Sequence, residues 1–173
     1  RGGAIPYAGV QPIGGFNPTS GGRWNQEDSD RLYGYSDQPG ATAQWTQEQL
    51  LTDAEARILS GEIDFSKLLK QKLRTFLGSD DACVGYSASV LRHTEFFSLL
   101  CNGFYYAAFL LATGGAVQVW RSRERGLLLL APLYILGLTL AQMLVEVAGR
   151  YHYSMIPMLL LLGQGTWKRT GEE

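Results

Sequence analysis

The fold class is decided by residues 96–120, which read FFSLLCNGFYYAAFLLATGGAVQVW and include no charged side chain. About 20 apolar residues are enough for a helix to cross the hydrocarbon core of a bilayer. Gly114 and Gly115 do not argue against such a helix, because glycine is common in membrane helices and lets neighbouring helices approach. The sequence therefore predicts a membrane-spanning helix here rather than a core helix of a soluble protein.

Two further apolar stretches follow the first one. Residues 126–145 are again uncharged, and a shorter apolar run covers residues 151–167. We therefore predict a mostly α protein with polytopic membrane helices. About three spans are expected, and they are preceded by an extracytoplasmic region of loops and helices. The predicted division of the chain is an outer region at 1–95 and a membrane region at 96–173.

Basic residues beside these stretches predict the topology, because short cytoplasmic loops carry an excess of Lys and Arg. A basic turn follows the first span and a basic pair follows the third, formed by Arg121, Arg123, Arg125, Lys168 and Arg169. Both segments are expected in the cytoplasm, with the C-terminus, so residues 1–95 are expected outside. The prediction is a multi-pass protein of the cell membrane.

The opening residues Arg1-Gly-Gly-Ala-Ile-Pro6 contain no apolar signal segment. If residues 1–95 lie outside the cytoplasm, an upstream segment must have carried them across the membrane. We therefore expect the chain to be the C-terminal part of a longer polytopic protein.

Residues 1–44 are rich in Gly and Pro, with aromatic residues between them. This composition is typical of an ordered loop, with a short strand or two, that packs on another part of the protein. Within it, Asn25 followed by Glu27 and Asp28 predicts a short capped helix or, together with Asp30, a divalent cation site. Because the spacing does not match an EF-hand loop, capping is the favoured interpretation and no metal ligand is assigned.

Two helices are expected between this loop and the first span. Thr46 and Gln49 have the pattern of a capping box, which predicts a helix at about 46–60. Asp64 can cap a second helix at about 64–77, which has an apolar stripe and Lys and Arg elsewhere. A basic amphipathic helix either lies in the membrane interface or packs on the rest of the outer region, and the sequence leaves both open.

Charge and cysteine content exclude some classes of function. The 173-residue chain carries 15 Lys and Arg against 16 Asp and Glu, a net charge of −1, and has no basic stripe. This pattern predicts no nucleic-acid partner. Cys83 and Cys101 have no metal or redox spacing, so Cys101 is interpreted as a small core hydrophobe, and a disulfide between the two is disfavoured.

The segment between the second and third apolar stretches, residues 146–153, concentrates ionisable and aromatic side chains. Ionisable groups that face a cavity between membrane helices are usually functional, and the guanidinium of Arg150 suits an anionic phosphate. The alternative is an anchoring belt at the membrane boundary, in which Glu146 pairs with Arg150 and closes the turn.

This segment also carries a resemblance to a known family. The pattern Glu-x-x-x-Arg-Tyr-His-Tyr-x-x-x-Pro at 146–157 is similar to the C-terminal signature of bacterial membrane glycosyltransferases of the family 39 type. These belong to the GT-C superfamily and are related to protein O-mannosyltransferases and lipid A aminoarabinose transferases. The segment Gly21-Gly-Arg-Trp-Asn-Gln-Glu-Asp28 is also similar, and the likeness extends from about Ile13 to Trp167.

The resemblance implies an activity and a set of residue roles. The expected activity is transfer of a sugar from a polyprenyl-phosphate carrier to an extracytoplasmic lipid, glycan or protein acceptor. Arg150 would contact the carrier phosphate, Glu146 would orient Arg150, and Tyr151 and His152 would line the site. The catalytic Asp of the family lies near the N-terminus of the full protein and matches no position here. The expectation is therefore a fragment with no catalytic residue, inactive alone, and no cofactor is implied.

Two other classes of function remain as alternatives. A transporter or flippase segment for lipid-linked sugars would need polar groups or helix breaks at mid-membrane. Asn102 and Gln142 are strongly polar side chains of the first two spans, and both lie near the outer ends. This placement disfavours transport. A non-catalytic membrane anchor with an interacting outer domain would give Arg150 no functional importance.

Overall fold

The computed structural model describes residues 10–122 and 129–167, with side chains described for residues 13–121 and 129–164. Most of these residues lie in helices, and the described ranges contain no strand. The mostly α prediction is therefore confirmed. In the described part of the Gly- and Pro-rich region, a helix at Val10–Gly15 occurs where a loop or short strand was expected, and the expected short helix after Asn25 is present at Gln26–Ser36.

The chain divides into two compact units, formed by Arg1–Thr75 with Leu140–Ala148 and by Phe76–Thr139 with Gly149–Glu173. This division reflects which residues pack together, whereas the predicted boundary at residue 95 separates the two sides of a membrane. That boundary therefore stays a prediction. The helices of the first unit are α1 (Val10–Gly15), α2 (Gln26–Ser36), α3 (Ala43–Leu59) and most of α4 (Phe65–Leu77).

The second unit contains the apolar helices. Its elements are α5 (Ala82–Tyr86), α6 (Thr94–Ser122), the larger part of α7 (Leu130–Leu144), a 3-10 helix at Gly149–Met155, and α8 (Ile156–Trp167). Pro157 occupies the first turn of α8, where a missing N–H group costs no intrahelical hydrogen bond.

Capping side chains define the helix starts of the first unit. The side chain of Asn25 accepts from the backbone N–H of Asp28 at 2.9 Å, so the predicted helix start at Asn25 is confirmed. Asp64 accepts from the N–H of Lys67 at 2.9 Å, as expected. The predicted capping box at Thr46 is wrong, because Thr42 accepts from the N–H of Trp45 and α3 begins earlier, at Ala43.

The core of the first unit is formed by Ile13, Leu32, Leu50 and Ala54, all buried. Two glycines let other segments approach this unit's backbone closely. A Cβ atom on Gly15 would lie 2.5 Å from the carbonyl carbon of Val145, and Gly22 has a φ of +76° that disfavours other residues. The pairs Gly14-Gly15 and Gly21-Gly22 are therefore sites of close packing and not simple linker.

One face of α4 is packed and another is exposed. Leu68 is buried, whereas Phe65 and Leu69 remain 49% and 45% exposed. The buried face of α4 therefore packs within the first unit, which is one of the two alternatives that the sequence left open. Contact of the exposed face with a membrane surface stays a prediction.

In the second unit, α6 packs against α8 around Tyr105, Ala112, Leu159 and Leu162. The two helices approach so closely at Gly115 that a Cβ atom there would collide with the carbonyl of Leu162. Small residues at helix crossings are typical of packing between membrane helices, since they allow backbone contact.

Within the described residues, one helix is long and apolar enough to cross a membrane, at Thr94–Arg121 in α6. Its side chains remain largely uncovered, and Leu99 and Leu110 are 72% and 74% exposed. α7 is also apolar but has only 15 described residues. The third predicted span, 151–167, begins as the 3-10 helix and continues as the 12-residue α8.

The structure thus supports one candidate span, and the prediction of about three spans remains a prediction. Arg121 is exposed at the end of α6. The other basic residues used for the topology lie outside the described residues, as does the start of the second predicted span; these are Arg123, Arg125, Lys168, Arg169 and residues 126–128.

Candidate functional site

The 3-10 helix Gly149–Met155 presents the residues of the sequence motif to different environments. Arg150 is exposed, Tyr151 is half-buried, and His152 and Met155 are buried. His152 and Met155 are buried together because side chains three residues apart in a 3-10 helix share a face. The element therefore has a core side at His152 and an outer side at Arg150.

Arg150 lies between two tyrosine rings. Its Nη1 donates to the hydroxyl of Tyr86 at 2.8 Å. The guanidinium carbon lies 5.8 Å from the Tyr86 ring centroid and 5.5 Å from that of Tyr151, within cation–π range. Hydrogen bonding to Tyr151 and the neighbouring Tyr86 raise the pKa of Arg150. The three residues, here called the Arg150 cluster, hold an exposed and permanent cation.

Tyr86 was not predicted from the sequence. It is the last residue of α5. Its exposed fraction is 71%, although its hydroxyl contacts Arg150. The two residues are 64 positions apart in the chain. Because no local pattern joins them, only the packing of α5 beside the 3-10 helix brings them together.

His152 has no exposed surface. Its Nε2 lies 3.1 Å from Oδ1 of Asp80, and its ring packs 4.8 Å from the ring of Tyr105 and 5.0 Å from that of Tyr153. Its Nδ1 is buried without a hydrogen-bond partner among the described atoms. In this conformation, His152 belongs to the core beneath Arg150, and its expected role in lining the site stays a prediction.

The segment that contains Asp80 is attached to α6 through polar contacts. The backbone N–H of Asp80 donates to Oδ1 of Asn102 at 2.7 Å, and Ser98 donates to the carboxylate of Asp81 at 2.9 Å. The hydrogen bond from Ser98, followed by that from Ser79, lowers the pKa of Asp81. Asn102, which the sequence placed as a polar side chain near a span end, therefore serves this attachment.

Glu146 belongs to the first unit and lies half-buried beside the end of α1. A Cβ atom on Gly14 would lie 3.2 Å from Oε2 of Glu146, and the N–H of Val147 donates to the carbonyl of Gly22 at 2.8 Å. The structure thus places Glu146 in the first unit and Arg150, Tyr151 and His152 in the second. The expected orienting role of Glu146 stays a prediction.

Lys72 is fully buried in the first unit, although its place in a basic amphipathic helix suggested a surface side chain. Its Nζ donates to the carbonyls of Gly15 at 3.1 Å and Met143 at 2.7 Å. These carbonyls lie at the C-terminal ends of α1 and α7, where a cation is favoured by the helix dipole. Burial nevertheless lowers the pKa of Lys72 to about 8.

Asp28, in the segment that also resembles the glycosyltransferases, is the centre of a structural network. The buried carboxylate accepts from Asn17 at 2.9 Å and Asn25 at 2.6 Å, and it pairs with Arg57 at 2.8 Å. Burial opposes the charged form, but the hydrogen bonds from Arg57, Asn25 and Asn17 outweigh it and lower the pKa of Asp28. The network fixes the start of α2 against α3.

The alternative of a cation site near Asp28 finds no matching geometry in the described part of the chain. No group of three or more His, Cys, Asp or Glu residues there is arranged to hold a metal ion. The neighbouring carboxylates have partners within their own helix, since Glu27 pairs with Arg31 at 3.0 Å and Asp30 accepts from Gln26 at 2.7 Å.

Comparison with known proteins gives no match to a protein-family model, to a curated protein or to a solved structure. A function for this chain is therefore proposed from its own residues and from the similarity of its motifs.

Proposed function

We propose that this chain is part of a membrane glycosyltransferase that transfers a sugar from a polyprenyl-phosphate carrier to an extracytoplasmic lipid, glycan or protein acceptor. The observation that carries the proposal is the Arg150 cluster. Its guanidinium is exposed, and the partners described for it are the tyrosines Tyr86 and Tyr151. Because neither tyrosine brings a carboxylate charge, the cation can serve an anionic ligand.

The chemistry of the cluster suits a lipid-linked phosphate. A guanidinium offers planar, bidentate donors to phosphate oxygens. Tyrosine rings are enriched at the membrane boundary, where the phosphate of a polyprenyl carrier lies. In the proposed reaction, Arg150 stabilises the negative charge that builds on the carrier phosphate as the sugar leaves, which is electrostatic catalysis.

The other residues of the motif act through position. His152, hydrogen bonded to Asp80, anchors the core side of the 3-10 helix and so directs Arg150 outward. Tyr151 and Tyr86 restrict the guanidinium from two sides. Glu146 is retained as the residue that orients Arg150, as the resemblance implies.

The proposed membrane arrangement has three spans, at about 96–120, 126–145 and 151–167, with residues 1–95 outside and the C-terminus in the cytoplasm. It is supported by the exposed apolar surface of α6 and by the close crossing of α6 and α8 at Gly115. A single cysteine at Ser122, in a background without Cys83 and Cys101, should resist an impermeant thiol reagent in intact cells. Rapid labelling there would overturn the topology.

The activity is tested in the full-length protein that contains this chain, in membranes supplied with polyprenyl-phosphate sugars. We expect Arg150→Ala to lower sugar transfer by about tenfold or more, because a hydrogen bond to a charged group contributes about 1.5–3 kcal/mol. Arg92→Ala is the matched control, since Arg92 is an exposed arginine of the same unit.

Normal transfer by Arg150→Ala would reduce the Arg150 cluster to an anchoring turn. Absence of transfer by the wild-type protein with every donor would contradict the transferase assignment. It would favour a flippase for lipid-linked sugars or a non-catalytic, membrane-anchored interaction protein.

A further inference from the structure

The two cysteines of the chain lie together in the second unit, although the sequence gave them no joint role. Cys83 is exposed in α5, and Cys101 is half-buried in α6. Helices α5 and α6 pack against each other, and the two thiols lie close enough for each to influence the ionisation of the other. Both cysteines are reduced in this structure.

Hydrogen bonds near the two cysteines join α5 to α6. The segment before α5 is bonded to α6 through Asp80 with Asn102 and through Asp81 with Ser98. Ser98, Cys101 and Asn102 lie three and four residues apart, so they share one face of α6. The two anchoring hydrogen bonds thus lie on the same face as Cys101 and bring α5 to it.

A third contact joins Cys83 to the 3-10 helix. The backbone N–H of Cys83 donates to the hydroxyl of Tyr153 in the 3-10 helix at 3.2 Å. The position of Cys83 is therefore set by its backbone and by the residues before it, and does not depend on one side-chain rotamer.

We propose that Cys83 and Cys101 form a disulfide bond that fastens α5 to α6 when the protein meets a small-molecule disulfide or a thiol oxidoreductase in its oxidised form. The thiolate of the exposed Cys83 attacks a sulfur of the oxidant, which gives a mixed disulfide and releases one thiol. Cys101 then attacks the sulfur of Cys83, which forms the Cys83–Cys101 bond and releases the second thiol. Two electrons and two protons pass to the oxidant.

The bond would act on the Arg150 cluster through α5. This helix has only five residues, Ala82–Tyr86, with Cys83 near its start and Tyr86 at its end. Fastening Cys83 to α6 limits the movement of Tyr86 away from Arg150. The proposal does not rest on the proposed function, because it concerns thiol chemistry and the packing of α5 on α6 alone.

The test uses peptide mapping of the purified full-length protein in detergent, after incubation with oxidised glutathione or with dithiothreitol. Free thiols are blocked with N-ethylmaleimide before digestion with trypsin. Cleavage at Arg92 separates the two cysteines into different peptides, 75–92 and 93–121. We expect these peptides to be linked after oxidation, and to be separate and alkylated after reduction.

Two variants make the result specific. In Cys101→Ser, Cys83 should accumulate as a glutathione mixed disulfide, since the second thiol is missing. In the wild-type protein, oxidation should raise the melting temperature, and in Cys83→Ser it should not. A stable glutathione adduct on wild-type Cys83, a disulfide between two protein molecules, or full alkylation of both cysteines after oxidation would each overturn the proposal.

Discussion

Nε2 of His152 lies 3.1 Å from Oδ1 of Asp80, on the buried side of the 3-10 helix whose exposed side carries Arg150. The imidazole has no exposed surface, and aromatic rings enclose it. A residue that the sequence motif suggested for ligand contact is thus a core residue in this conformation. Its hydrogen bond links the motif to a segment 72 positions earlier in the chain.

Asp80→Ala should destabilise the second unit. The change leaves Nε2 of the buried His152 without its partner, and loss of a hydrogen bond to a charged group costs about 1.5–3 kcal/mol. Thermal unfolding in detergent, followed by circular dichroism, measures the effect. Glu95→Ala removes an exposed carboxylate of the same unit and should change little. Equal melting temperatures for the two variants would show that the His152–Asp80 contact is unimportant for stability.

Because Lys72 is buried, the free energy of unfolding should change with pH in the alkaline range. Burial lowers its pKa from 10.5 to about 8, so the unfolded chain binds the proton more tightly than the folded one. Stability should therefore rise as pH increases from about 8 towards 10.5, because the cost of burying the charged amine disappears. A shift of this size corresponds to about 3 kcal/mol.

Lys72→Met tests this prediction against Lys70→Met, in which the lysine is exposed. The melting temperature is measured across the same pH range for the three proteins. The rise with pH should be absent in Lys72→Met and retained in Lys70→Met. A rise that survives in Lys72→Met would assign the pH dependence to another group.

Gly115→Ala should loosen the packing of α6 on α8, because the added Cβ atom collides with the carbonyl of Leu162. Overpacking of this kind typically costs about 1–3 kcal/mol. Gly103→Ala is the matched control in the same helix, since a Cβ atom there meets no atom within 4 Å. It should be neutral or stabilising, as alanine favours helix over glycine. Equal thermal stability of the two variants would contradict the close crossing.

Arg57→Met should destabilise the first unit strongly, because it leaves the buried carboxylate of Asp28 without its cation. Removing one partner of a buried ion pair costs about 3–5 kcal/mol. Part of this loss should disappear in acid, since the lowered pKa of Asp28 means that its stabilising contribution is lost as pH falls below 3.8. Chemical denaturation measures the free energy of unfolding of this variant. Arg31→Met, which removes a more exposed arginine, is the control. A similar loss in both variants at neutral pH would argue against the buried network.

The features that could be predicted from the sequence are those set by local chemistry. The caps at Asn25 and Asp64 follow from short polar side chains that precede a helical pattern. The apolar α6 follows from its lack of charge. In contrast, Thr42 replaces Thr46 as the cap of α3, since both positions satisfy the same local preference and tertiary packing decides between them.

The parts of the site that could not be predicted depend on long-range contacts. Tyr86 meets Arg150, and Asp80 meets His152, only because the short α5 and the segment before it pack beside the 3-10 helix. Lys72 belongs by its spacing to a basic helix surface, yet it is buried where the ends of two helices converge. No periodicity in the sequence carries this information.

The most direct measurement of the central claim compares two ligands that differ only in the phosphate. The full-length protein in detergent is titrated with polyprenyl phosphate and with the corresponding polyprenol, for the wild type, Arg150→Ala and the control Arg92→Ala. We predict that the wild type and the control bind the phosphate lipid about tenfold or more tightly than the alcohol, and that Arg150→Ala loses most of this preference. An unchanged preference in Arg150→Ala would show that Arg150 does not contact the carrier phosphate.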